Sequence, residues 1–93
     1  MLDPKLEAKE LRGREAKRLL EEPLLIEAFE SVRAGCIAKF AEPLASEQLE
    51  ELSRLYRSFL KLENYIKHSI REGADAKKLL DAMEKTNQVN GQG

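Results

Sequence analysis

Residues 46–72, SEQLEELSRLYRSFLKLENYIKHSIRE, decide the fold. Leu52, Leu55, Phe59, Leu62 and Ile66 recur at intervals of three and four, and Leu49 and Ile70 extend the row. That spacing places them in one stripe of an α-helix, with side chains a turn apart stacked on the same face. The other side carries Arg54, Arg57, Lys61, His68 and Arg71. The pattern predicts a long amphipathic helix, and the rest of the chain reads as material that covers its apolar side.

Working backwards, Glu42-Pro43-Leu44-Ala45-Ser46 reads as a short turn with Ser46 as N-cap of the long helix. Before it, Leu25, Ile26, Phe29, Val32, Cys36, Ile37 and Phe40 recur at helical spacing over residues 24–41. Ala28, Ala34, Gly35 and Ala38 are small residues on or beside that face, where they let another helix approach. A connection this short predicts an antiparallel helical hairpin. Glu22-Pro23 breaks or bends the chain before it, because proline disfavours the helical conformation in the preceding residue.

The N-terminal segment opens with Asp3-Pro4, a capping residue followed by a residue suited to the first helical position. Leu6, Leu11, Ala16, Leu19 and Leu20 form a thin apolar row interrupted by Gly13, amid charges of alternating sign. The expectation is a helix weakly anchored before about residue 14, either a solvated helix with i,i+4 charge pairs or an arm that docks on a partner. At the other end, Gly73 is expected to end or interrupt the long helix, and Asp75 to cap a further short helix to Lys85. The predicted architecture is all-α. A core hairpin over 23–72 is flanked by an N-terminal helix and a short C-terminal one, within a single domain over 1–85 and ahead of a flexible tail over 86–93.

Composition narrows the function. Ninety-three residues suffice for one modest core, which oligomerisation or a partner would supplement. Sixteen Lys and Arg against seventeen Asp and Glu give a formal net charge of -1, unlike a strongly basic nucleic-acid binder. The single cysteine, Cys36, rules out an internal disulfide and fits a reducing, cytosolic compartment. The charged N-terminal stretch carries no signal-peptide pattern, and no apolar run is long enough for a membrane span. Cys36 and His68 are the only residues of their types, too few for a metal centre or a nucleophile–base pair, so no catalytic, metal or cofactor site is expected. Cys36 reads as a small core residue and His68 as part of an exposed face.

Two surfaces remain. Arg54, Arg57, Lys61, Tyr65, His68 and Arg71 fall in one arc of the long helix, where cations with an aromatic among them suit a nucleic-acid backbone and a base. The same row equally suits a solvated face or an acidic protein partner, since Glu50 stands in pairing register with Arg54. On the opposite edge Glu63 lies on the apolar side, where a carboxylate needs a partner, and Lys67 follows at i+4. Leu49, Tyr56, Leu60, Glu63 and Lys67 therefore mark an expected seam for a second contact, with the N-terminal helix or a neighbouring subunit.

The run RLLEEPLLIEAFESV (18–32), followed by LEELSRLYRSFLKLENYIKHSIREG (49–73), resembles a group of small helical proteins of tailed bacteriophages. In that group a leucine pair, an acidic residue and Pro-Leu precede Glu-Ala-Phe, and a long helix bears a His near its end before an acidic residue and Gly. The matching positions are Leu19, Leu20, Glu22, Pro23, Leu24, Glu27, Ala28 and Phe29, then His68, Glu72 and Gly73. Cys36 departs from the group, which has aromatics in that region. The resemblance implies a phage setting among head-assembly and DNA-packaging genes, in the host cytoplasm or the virion, and it transfers no functional residues. The expectation is a non-enzymatic structural or accessory protein working by helix-mediated assembly, with itself or with another phage protein. The alternatives are a nucleic-acid accessory protein using the basic row and a small inhibitor of a host enzyme.

Overall fold

A computed structural model describes residues 3–92, with side chains as far as Thr86. Three helices account for the described chain: α1 (Pro4–Glu21), α2 (Pro23–Phe40) and α3 (Ser46–Gln92). The all-α expectation holds. The chain divides into two compact units, one from residues 1–18 and 66–93 and one from residues 19–65. α3 contributes to both, its later part to the α1/α3 unit and its first part to the α2/α3 unit.

Local chemistry sets the helix ends. The Lys5 N–H donates to Asp3 Oδ1 at 2.9 Å, so Asp3 caps α1 as its position suggests. Glu22 leaves the helical conformation (φ -71°, ψ 119°), and Pro23 starts α2 without the N–H it lacks. At α3 the expected cap moves by one residue. Ser46 is the first helical residue, and the Ala45 carbonyl accepts from the Leu49 N–H at 2.9 Å. Gln48 Oε1 reaches back to the Ala45 N–H at 3.1 Å, one half of a capping box.

In the α1/α3 unit the two helices meet at glycine. A Cβ built on Gly13 would stand 2.7 Å from the Gly73 Cα and 3.0 Å from the Ser69 carbonyl oxygen. A Cβ on Gly73 would stand 2.7 Å from the Gly13 Cα. Only glycine at both positions allows this backbone approach, and Ala16, Ser69, Ala76 and Leu80 are buried around it. Two expectations are corrected here. Gly13 does not interrupt a weakly held arm; it is the point at which α1 is held to α3. Gly73 neither ends α3 nor precedes a separate short helix, because α3 runs through it and through Asp75 without a break. A mid-helix glycine costs roughly 1 kcal/mol relative to alanine, and the close packing that it permits offsets that cost. The tail expected over 86–93 falls mostly on side chains outside the described residues, while the backbone of α3 is helical as far as Gln92.

The α2/α3 unit is held by aromatic side chains. Phe29 meets Phe59 edge-to-face, with centroids 5.4 Å apart, and Phe40 meets Tyr56 in the same way at 5.8 Å. Such pairs contribute roughly 0.5–1.5 kcal/mol each beyond the area they bury. Cys36, Leu52 and Phe59 are the buried apolar residues of this unit among those described.

Candidate interaction surface

Burial in the first part of α3 is rotated from the expected stripe. Leu52 and Phe59 are buried and Tyr56 and Leu60 half-buried, whereas Leu55 and Leu62 are 59% and 54% exposed. The cause lies on α2. Arg33 shares a helical face with Phe29, Cys36 and Phe40, and its Nη2 forms an ion pair with Glu63 Oε2. Its guanidinium also lies over the Phe59 ring, 5.6 Å from the centroid, a cation–π arrangement. Glu63 is 8% exposed, and a carboxylate this buried requires a cation or donors. The pair, with the Phe29–Phe59 and Phe40–Tyr56 contacts, places α2 on the Tyr56–Glu63 edge, and the Leu55–Leu62 edge is open.

The expected seam is therefore partly used within the chain. Tyr56 and Glu63 face α2, through Phe40 and Arg33. Leu60 is half-buried, and Leu49 (44% exposed) and Lys67 are on the surface. Arg33 is the residue that sequence reasoning missed. Its signal was a cation in an otherwise apolar row, the counterpart of Glu63 in α3.

The basic row is exposed. Arg54, Arg57, Lys61 and Tyr65 are exposed in the α2/α3 unit, and His68 and Arg71 in the α1/α3 unit. Arg57 Nε donates to the Ser53 carbonyl oxygen at 3.4 Å, and His68 Nε2 lies 3.1 Å from Glu72 Oε1. Cys36 is a free thiol buried in the α2 core face. Among the described residues no group of three His, Cys, Asp or Glu is placed to hold a metal ion, and no helix is long and apolar enough to cross a membrane.

Unpartnered apolar surface dominates the α2/α3 unit. Around α2, Leu24 is 76% exposed, Ile37 56%, and Val32 and Ile26 about 40%, although these residues point to different sides of the helix. Leu25, Phe29 and Cys36 occupy the one side that α3 covers. Glu27, Glu30 and Ser31 give α2 one polar side, so its exposed apolar residues extend well beyond the side covered by α3. No protein-family model matches the chain, and neither does a curated protein or a solved structure.

Proposed function

We propose that this chain is a non-enzymatic structural or accessory protein of tailed bacteriophages, acting in the host cytoplasm or the virion through helix-mediated assembly. In this reading α2 and the first part of α3 form an antiparallel hairpin, and its open apolar sides take a copy of the chain or a virion or packaging partner. The observation that carries the reading is the set of exposed apolar side chains on α2, Leu24, Ile26, Val32 and Ile37, outside the side that α3 covers. Leu55 and Leu62 extend the open surface onto α3. Exposed apolar side chains in this number mark interaction sites, and burying a Leu, Ile or Val side chain contributes about 1.5–3 kcal/mol when complete.

A nucleic-acid accessory role has one feature in its favour, the exposed Arg54, Arg57, Lys61 and Tyr65. Light scattering behind size exclusion, at low and high salt and with and without short duplex DNA, separates the two. An oligomer that persists at high salt and ignores DNA supports assembly. A monomer that shifts with DNA only at low salt overturns it in favour of the basic row.

A further inference from the structure

Charge is divided between the two units. The α1/α3 unit, residues 1–18 and 66–93, carries eleven Lys and Arg against eight Asp and Glu, and residues 19–65 carry five against nine. On the basic unit a groove runs beside the Gly13–Gly73 crossing, lined by the apolar Ile70 and Ala74 and by Arg14, Lys17 and Lys77. The carboxylate there is Glu10, whose Oε1 lies 3.7 Å from Arg14 Nε. Lys17 and Lys77 have no ion-pair partner among the described residues. The acidic unit has its own concentration of charge at the start of α3. Glu42, Glu47, Glu50 and Glu51 fall in a stretch without Lys or Arg, and the exposed Leu55 follows Glu51 by one helical turn. Glu47 in the first turn suits the helix dipole, but Glu50 and Glu51 lie beyond it and have no ion-pair partner among the described residues.

We propose that the Arg14–Lys17–Lys77 groove is the docking site for the acidic start of α3 in a second copy of the chain. The occupant follows from the chemistry of the groove. A groove lined by cations and by Ile70 and Ala74 fits a helix that presents carboxylates beside a leucine, and Glu47, Glu50 and Glu51, which share one side of α3 with the exposed Leu55, supply that set. A bare phosphate backbone would leave Ile70 and Ala74 unmatched. This inference rests on the assembly reading and names the partner as self. The contact is heterologous, one patch against a different patch, so each copy both offers a groove and fills one. Complementary potentials of this kind set specificity and register more than affinity.

The test is a charge exchange in the full chain, read by sedimentation. The groove variant Arg14→Glu/Lys17→Glu/Lys77→Glu and the acidic-stretch variant Glu47→Lys/Glu50→Lys/Glu51→Lys should each associate roughly tenfold more weakly than the parent at about 0.05 M salt, the scale of three exposed ion pairs. An equimolar mixture should recover association, because the reversed groove of one matches the reversed stretch of the other. All six side chains are exposed, and circular dichroism verifies helicity. The neutral pair Lys17→Gln/Lys77→Gln and Glu50→Gln/Glu51→Gln repeats the weakening test if a reversed variant is not helical. Variants that associate like the parent, or a mixture that fails to recover, overturn the inference while leaving assembly through the apolar sides intact. A parent that is monomeric at every salt overturns both. Duplex DNA binding that the groove variant alone abolishes, without self-association, assigns the groove to a polyanion instead.

Discussion

Gly13 of α1 and Gly73 of α3 occupy each other's missing side chain: a Cβ on either would lie 2.7 Å from the Cα of the other. Gly73→Ala therefore places two opposed effects in competition. Helix propensity improves by about 1 kcal/mol, but the atom in the way is backbone, and overpacking costs typically 1–3 kcal/mol or more where nothing flexible yields. The variant should melt below the parent, and so should Gly13→Ala. The double variant should lose less than the two added together, since helices already parted by one methyl admit the second more easily. Thermal unfolding followed by circular dichroism checks this, and a Gly73→Ala protein more stable than the parent would exclude the close crossing.

Gly35 is the internal control. It lies within α2, and a Cβ there meets nothing within 4 Å. Gly35→Ala should raise stability by about 0.5–1 kcal/mol through helix propensity and a less flexible unfolded chain. The same melt compares it directly with Gly13→Ala.

Arg33 and Glu63 should couple. Removing Arg33 leaves a buried carboxylate without this cation and removes the cover of the Phe59 ring. Arg33→Ala should cost about 1–3 kcal/mol, below the figure for a fully buried pair because the guanidinium is partly in water. A double-mutant cycle of Arg33→Ala and Glu63→Ala in urea should give an interaction energy of about 1 kcal/mol. Additive losses would show that α2 is positioned by its aromatic rings alone.

Leu52 and Leu62 offer a contrast on one helix. Leu62 is 54% exposed, so Leu62→Asp should change the stability of the isolated chain by no more than about 0.5 kcal/mol while reducing its oligomeric mass. Leu52 is 8% exposed, and Leu52→Asp should unfold the α2/α3 unit at any concentration. Mass by light scattering and helicity by circular dichroism, on the same samples, distinguish a lost interface from a lost fold.

What could be read from the residues was whatever neighbours in sequence decide. The break at Glu22-Pro23, the helical rows in α2 and α3, and Cys36 as a small core residue all follow from local sterics and periodicity. Two features escaped because they depend on partners distant in sequence. Gly73 has the local signature of a helix stop, and its role as a contact is visible only together with Gly13. Glu63 announced that it needed a cation, but the nearby Lys67 hid the claim of Arg33. That pairing lies on the same edge of α3 as the Phe29–Phe59 and Phe40–Tyr56 contacts, with Tyr56 turned inward and Leu55 and Leu62 outward.

Sharing α3 between two units also has a kinetic consequence. In the α2/α3 unit Arg33 and Glu63 are thirty residues apart, a modest loop for an unfolded chain to close. The Gly13–Gly73 crossing must wait until position 73 has been synthesised and brought back to position 13. Ordering α2 and the start of α3 shortens that search, since the chain between the glycines is then largely fixed. On the ribosome α1 emerges before α2, yet the segment of α3 that it packs against is made only after the whole of residues 19–65.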